Sequence, residues 1–477
     1  MNEPANPAAP PRTGVAPSTG ADARPRLERR LGTLDGALIT IGSIVGSGIF
    51  LTTSDIARAL PHPSWILAVW VVGGLLTLAG ALTYAEMGAM YPEAGGLYVF
   101  LREAYGPLTG FLYGWTAFFV IMSGGIAAIA VGFGDYLGTF LPFFSTRHEL
   151  WSLPLGSWTW RVDGSQLAAV LAIVVLTSVN YVGLRQGAGV QNLMTLLKVG
   201  AVAIFVAGGF LVTAPVAVDW TAPLPPLPGG LLAAFGVGMI AALWTYDGWY
   251  GLTFSAGELK DPGRSLPVGL ITGVVTTSAM YALVNVAYLR AIPVGAMGGT
   301  ARIGEGAAAA LFGGQASRWL AAAIVVSTFG CLAATILYSA RIYLPMAEDR
   351  LFFRAVARIH PRHHTPGPSL WVQCAWSALL ALSGSYEQLY TYVIFASVLF
   401  HAAAGAAVFV LRRTRPALPR PYRTWGYPWV PAVFILSSLL LLGNTLVERP
   451  VESLLGLGLV ALGLPVYAYW RRNARAA

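Results

Sequence analysis

The sequence predicts an all-α membrane protein of about twelve transmembrane helices, built as a 5+5 inverted repeat with broken spans one and six and two added helices. Three observations support this. Of 477 residues, 56% are hydrophobic and 11% charged, too few charges to cover a water-soluble surface. The apolar runs are about 17–25 residues long, enough for a helix to cross a ~30 Å hydrocarbon core, whereas barrel strands would alternate over ~10 residues. Two of these runs, placed first and sixth, are interrupted by clustered glycine and polar residues.

In chain order, residues 1–30 are rich in Pro, Ala and Gly, have no apolar h-region, and are expected to form a disordered tail rather than a signal peptide. Spans are then expected at 35–55, 64–90, 107–137, 166–183, 189–213, 230–254, 267–290, 317–345, 368–384, 387–411, 428–446 and 452–470. A short amphipathic piece near 303–313 should lie flat between spans seven and eight. This divides the chain into the tail, a transport core over 31–412 and two accessory helices over 413–477.

The net charge of +9 is almost all arginine, the only lysines being Lys198 and Lys260. The arginines cluster in alternate loops: Arg29 and Arg30, then Arg350, Arg354, Arg358 and Arg362, then Arg412, Arg413, Arg415, Arg420 and Arg423, then Arg471, Arg472 and Arg475. Such bias places those loops and both termini in the cytoplasm of a multi-pass cell-membrane protein, and it accounts for the charge without nucleic acid. Lipid headgroup binding is the lesser reading of these clusters.

The first interrupted span reads GSIVGSGIF over 42–50 and the sixth reads WTYDGWYG over 244–251. Close packing through small residues would explain one such stretch. A second break in register five helices later favours a binding site, because broken helices survive in a membrane only where they are buried or line a cavity. At the first break the N–H groups of Ser47, Gly48 and Ile49 open a half-helix, whose positive end suits a carboxylate. Leftover carbonyls such as that of Ile44, with others from Trp244 and Asp247, suit an ammonium. Donors and acceptors this close fit an α-amino acid zwitterion.

Four stretches together carry a family likeness: GSIVGSGIF (42–50), YPEAGGLYVFLREAYGP (91–107), WTYDGWYGLTFSAGELKDPGRSLP (244–267) and SARIYLPMAEDRLF (339–352). The chain resembles the amino acid–polyamine–organocation superfamily, and within it the L-type amino acid transporter group. The resemblance implies a LeuT-like fold and exchange or co-transport of amino acids. It implies that the Ser47 and Gly48 amides meet the substrate carboxylate, with Gly46 and Ile49 beside them. It implies that the ammonium lies on the carbonyls of Ile44, Trp244 and Asp247, with Tyr246 adjacent and Trp244 as an aromatic gate. The chain departs from some relatives in carrying Asp247 where others have a small or apolar residue, and Tyr250 where some cation exchangers have an acid.

Lys198 lies about nine residues into span five, some 13 Å deep, too far for easy snorkelling. An intramembrane lysine costs about 3 kcal/mol or more, which makes it a functional candidate. The resemblance implies that its ammonium stands where sodium symporters hold Na⁺, near the Gly42 carbonyl and the Ser327 or Thr328 hydroxyl.

Glu86 is expected in a helix-packing network, Glu258 and Lys260 near an inner gate, and Asp135 facing water. Cys331 and Cys374 read as inert buried thiols. The histidines, including His360, His363 and His364, lack metal-ligand spacing, and there is no P-loop, HExxH or GxSxG motif. No cofactor, metal or accessory subunit is expected. The sequence is therefore read as a sodium-independent exchanger, most simply of neutral L-amino acids, with proton symport as the alternative. A membrane transferase would need a His, Asp or Glu cluster at a membrane face, and a channel a selectivity filter.

Overall fold

The computed structural model describes residues 29–155, 158–182, 184–227, 229–383, 386–448 and 450–476. The expected tail falls, up to residue 28, outside them. Ten helices among the described residues are long and apolar enough to cross a membrane, and Gly230–Tyr246 is a shorter apolar one.

The first span is two pieces, α1 (Thr33–Ile44) and, after a 3₁₀ turn at Gly48–Phe50, α2 (Thr53–Ala59). Next come α3 (Pro63–Met90) and α4 (Leu97–Tyr105). The third span is α5 (Pro107–Thr116) and α6 (Met122–Leu137), joined through a π-helical turn at Ala117–Ile121. A hairpin, β1 (Glu149–Leu155) and β2 (Trp158–Asp163), precedes α7 (Gly164–Val182) and α8 (Leu184–Leu211). The expected outside loop thus contains a strand pair, capped where Trp160 Nε1 donates to the Leu382 carbonyl at 2.7 Å.

The sixth span is α9 (Gly230–Tyr246) and α10 (Gly251–Phe254), followed by α11 (Pro262–Ala291). After it come α12 (Val294–Met297) and α13 (Ile303–Phe312), the latter on the piece expected near 303–313. Then follow α14 (Gly314–Ser339), α15 (Tyr343–Glu348), α16 (Gly367–Ala381), α17 (Tyr386–Thr414), α18 (Trp429–Glu448) and α19 (Pro450–Ala476).

The layering is that of a bilayer protein. α1 is buried along most of its length, whereas α8, α9 and α18 present bare side chains such as Leu211 (87% exposed), Leu232 (82%) and Val447 (77%). In water such faces would drive association; in hydrocarbon they are matched to their solvent. α18 packs on α3, α9 and α17, and α19 on α5 and α17, so both lie at the periphery.

Polar clasps close both ends. At the arginine-rich end Leu31 bridges to Leu259, and Arg30 and Leu31 both donate from backbone N–H to the Glu258 carbonyl. Fully buried Arg341 grips the Glu258 carboxylate with Nη2 at 2.7 Å and Nε at 3.1 Å. Lys260 is exposed and joins the clasp only through its backbone, its N–H donating to the Leu31 carbonyl at 3.0 Å, whereas Glu258 also contributes its side chain. Glu86, also buried, takes two bonds from Arg412 and one from the Thr424 N–H, tying α3 to α17 and the loop after it. At the opposite end Asp135 does more than face water: its carboxylate accepts from Arg302 at 2.9 Å, and Arg302 also reaches Thr139 and Glu305. Burial raises the Glu305 carboxyl pKa, and the Arg302 charge opposes the shift without cancelling it.

Candidate functional site

The two breaks cross in direct contact. A side chain at Gly48 would put its Cβ 2.7 Å from Thr245 Oγ1, and one at Gly248 would put it 2.7 Å from the Ser43 carbonyl oxygen. Gly248 also has φ +92°, a conformation that L side chains rarely adopt. Glycine at these two positions lets the halves of spans one and six meet backbone to backbone. Thr52 and Thr245 join their hydroxyls at 2.7 Å just beyond the crossing.

A continuous helix would pair the N–H groups of Gly46, Ser47, Gly48 and Ile49 with the carbonyls of Gly42, Ser43, Ile44 and Val45, four residues back. Here α1 stops at Ile44 and no backbone carbonyl among the described residues accepts from these four N–H groups. The four carbonyls have found other donors. Lys198 Nζ, on α8, donates to Gly42 at 2.6 Å and Val45 at 2.8 Å. Cys331 Sγ, on α14, donates to Ser43 at 3.2 Å. Tyr281 Oη, on α11, donates to Ile44 at 3.0 Å and reaches the Thr245 carbonyl at 3.2 Å. The break is thus stabilised from three helices that supply donors to its acceptor side, while its donor side is left available. Buried backbone groups are seldom left unpaired, so the four N–H groups call for an acceptor that the backbone of the described residues does not provide.

Lys198 is 2% exposed and reaches α1 because Gly42 has no side chain: a Cβ there would lie 2.4 Å from both Gln191 Nε2 and Thr195 Oγ1 of α8. Ser327 Oγ adds a long 3.4 Å contact to the Val45 carbonyl. Thr328 does not join this group, since its hydroxyl turns back to the Ile324 carbonyl of its own helix at 2.8 Å.

A small cavity lies at the crossing. Ser43, Ile44, Gly46, Ser47 and Gly48 line it from span one, and Trp244, Thr245, Asp247 and Gly248 from span six. Ile121, Met122, Cys331, Thr335 and Tyr338 close it. Most of the residues expected from sequence therefore converge here. Two side chains do not. Tyr246 points to α3, where its hydroxyl donates to the Trp70 carbonyl at 3.1 Å and its ring packs on Trp70 and Tyr281; helical rotation puts it on the face opposite the cavity. The Ile49 side chain is fully buried in the core, so only its backbone faces the break. Two of the three carbonyls expected for an ammonium already have donors: Tyr281 Oη on Ile44, and the Asp247 N–H on Trp244 at 3.0 Å. Each retains a second lone pair.

Sequence reasoning missed Tyr281, Thr245, Cys331 and Tyr338. Each is an ordinary residue in an apolar span, and nothing in its spacing distinguishes it from core.

A family model described as amino acid permease matches residues 31–456. The serine/threonine exchanger SteT of Bacillus subtilis (strain 168) is 30% identical over 464 residues, covering 94% of this chain and 98% of that protein. The human large neutral amino acids transporter small subunit 2 is 29% identical, covering 94% of this chain and 82% of its own length. The mouse b(0,+)-type amino acid transporter 1 is 29% identical, covering 89% and 84%.

Proposed function

The chain belongs to the amino acid permease family, in the amino acid–polyamine–organocation superfamily, and on that premise we propose that it exchanges neutral L-amino acids across the cell membrane without sodium. It is a transporter and not an enzyme. The observation that carries the proposal is the asymmetry of the first break: four N–H groups without a backbone acceptor among the described residues, beside four carbonyls already supplied with donors.

A substrate carboxylate completes the hydrogen bonding of Gly46, Ser47, Gly48 and Ile49 at a helix N-terminus whose partial positive charge favours it. The ammonium takes the remaining lone pairs of Ile44, Trp244 and the Asp247 main chain. The Trp244 ring covers the side chain. Lys198 holds the Gly42 and Val45 carbonyls where a sodium ion would otherwise sit, with Ser327 as a weaker neighbour, so no sodium is required.

Spans one to five and six to ten form the inverted LeuT-like repeat of a twelve-helix protein, the transport core being 31–412 and the last two helices accessory. Both termini are cytoplasmic, a reading that the arginine distribution supports. One of these relatives, the human large neutral amino acids transporter, is named a small subunit. Cys331 and Cys374, the chain's only cysteines, are both buried, so no exposed thiol is available to link a companion subunit.

The test is uptake of radiolabelled amino acids into proteoliposomes holding this chain alone. Uptake that needs internal amino acid and is indifferent to replacing Na⁺ by K⁺ or choline is the expected result. Accumulation driven by a pH gradient into amino-acid-free liposomes would replace exchange with proton symport. Equal competition by amino acid amides or N-acetyl amino acids would remove the zwitterion site.

A further inference from the structure

A second and much larger cavity, about 700 Å³, lies between α3, α9, α17 and α18. Only Asp247 belongs to both its wall and that of the small cavity at the breaks. Its walls are otherwise mostly apolar: Leu76, Met239, Leu243, Val398, Phe434 and Leu441. α9 and α18 remain helical along it, so their backbone groups are engaged and offer nothing to a carboxylate. At its rim stand Leu232, Leu440 and Val447, exposed by 82%, 65% and 77%.

We propose that this crevice holds one acyl chain of a bilayer phospholipid. The rim residues belong to the outward faces of apolar helices, so the medium at the opening is hydrocarbon. Most of the wall is apolar, with Ser397, His401 and Ser438 among its few polar side chains, so it suits a hydrocarbon chain better than a zwitterion, and unfilled space forfeits the dispersion contacts of its lining. The length admits such a chain. One leaflet contributes roughly 15 Å of a ~30 Å hydrocarbon core, about ten residues of α9 at 1.5 Å each, so a chain entering beside Glu448 runs along the crevice from Gly229 past Met239 toward Leu243. Near that entry Asn444 Nδ2 is buried and has no partner among the described residues. The ester carbonyl of the lipid, at the boundary of headgroup and hydrocarbon, is the acceptor that this amide lacks. The far end of the chain then lies between Met239 and Leu243, short of Trp249 and Asp247, and keeps α9 apart from α18 there.

The test is photolabelling of the full chain in proteoliposomes with phosphatidylglycerol carrying a diazirine in its acyl chain, followed by peptide mapping. Adducts are expected on Met239, Leu243, Val398 and Phe434 as well as on outward Leu436. Met239→Trp, or Val398→Trp from the facing wall, fills the crevice; each should reduce the inner adducts several-fold while Leu436 labelling persists as the internal control for insertion and folding. Asn444→Leu should lower the inner adducts in the same assay. Adducts confined to outward residues, or inner adducts undiminished by both filling variants, would overturn the proposal. Inner labelling by a free diazirine fatty acid but not by the phospholipid would overturn the assignment to a bilayer lipid.

Discussion

Replacing Lys198 by methionine keeps the aliphatic stem and removes only the ammonium. The Gly42 carbonyl then has no donor, and the Val45 carbonyl has only the 3.4 Å contact from Ser327. Hydrogen bonds to a charged group contribute about 1.5–3 kcal/mol each, so roughly 3–6 kcal/mol that favours the broken helix is lost. The nearest replacement donors are the N–H groups of Gly46 and Ile49, the i+4 partners of those carbonyls in a continuous helix. The variant should therefore insert and fold, but with the break partly closed and the carboxylate donors consumed. At 1.4 kcal/mol per tenfold, 3 kcal/mol corresponds to a loss of substrate affinity of about two orders of magnitude. Scintillation-proximity binding and counterflow in proteoliposomes measure the loss. Hydrogen exchange at amides 46–49 measures its cause, with greater protection in the variant. Lys198→Arg should not restore function, because a planar guanidinium is larger than the ammonium and presents its donors differently. Wild-type affinity in Lys198→Met, or strong Na⁺ stimulation of the unmodified protein, would refute the reasoning.

Four further outcomes are expected. Gly48→Val puts its Cβ 2.7 Å from Thr245 Oγ1 and 3.1 Å from Thr245 Cα, so binding should be abolished in protein that still reaches the membrane; retained affinity would reduce the crossing to packing. Trp244→Ala should weaken apparent affinity and alter side-chain preference across an amino acid panel, and unchanged kinetics would return Trp244 to the core. Glu258→Gln strands the buried Arg341 and should cost about 3–5 kcal/mol in a thermal or denaturant assay, while the double variant Glu258→Leu with Arg341→Met recovers much of it; equal loss in both would show that the pair is not coupled. The folded-state pKa of Glu305 is raised above its ordinary 4.5, so its stabilising contribution is complete below that value and is lost as pH rises through the raised one. Glu305→Gln should accordingly raise thermal stability at neutral pH and lose that advantage in acid; a pH-independent difference would contradict the shift.

Much of this was legible in the sequence because membrane physics leaves few choices. A glycine and serine cluster inside an apolar run has to be explained, and Gly46, Ser47, Gly48 and Gly248 do stand at the crossing of two broken spans. Lys198 could be singled out because a lysine in hydrocarbon is costly without partners. The remaining site residues carried no comparable signal. Tyr281 and Cys331 serve the break with one hydroxyl and one thiol, each the side chain of a residue that apolar spans also use for packing. Tyr246 was drawn into the site by its position beside Trp244 and Asp247, but adjacent residues on a helix point about 100° apart, and its ring faces α3. The hairpin at 149–163 was missed because a membrane-protein reading treats every polar interval as a loop.

On the proposed reading the protein's own lysine replaces a bound cation, and this bears on coupling. A dissociable ion can enter from one side with the substrate and leave on the other, so its gradient drives the cycle. An ammonium tethered to α8 cannot leave, and while it stays protonated it transfers no net charge. The carrier is then left with only the substrate to complete the break. Without a carboxylate, the N–H groups of residues 46–49 remain without backbone acceptors in a low-dielectric interior, at a cost of about 1–3 kcal/mol each where water does not reach them. That penalty falls most heavily on the intermediate closed at both ends, which the empty carrier would have to cross to return. With substrate bound the penalty is absent in both directions. Exchange follows: the loaded carrier reorients, the empty one does not, and the same four amide groups that bind the substrate make its return journey depend on another.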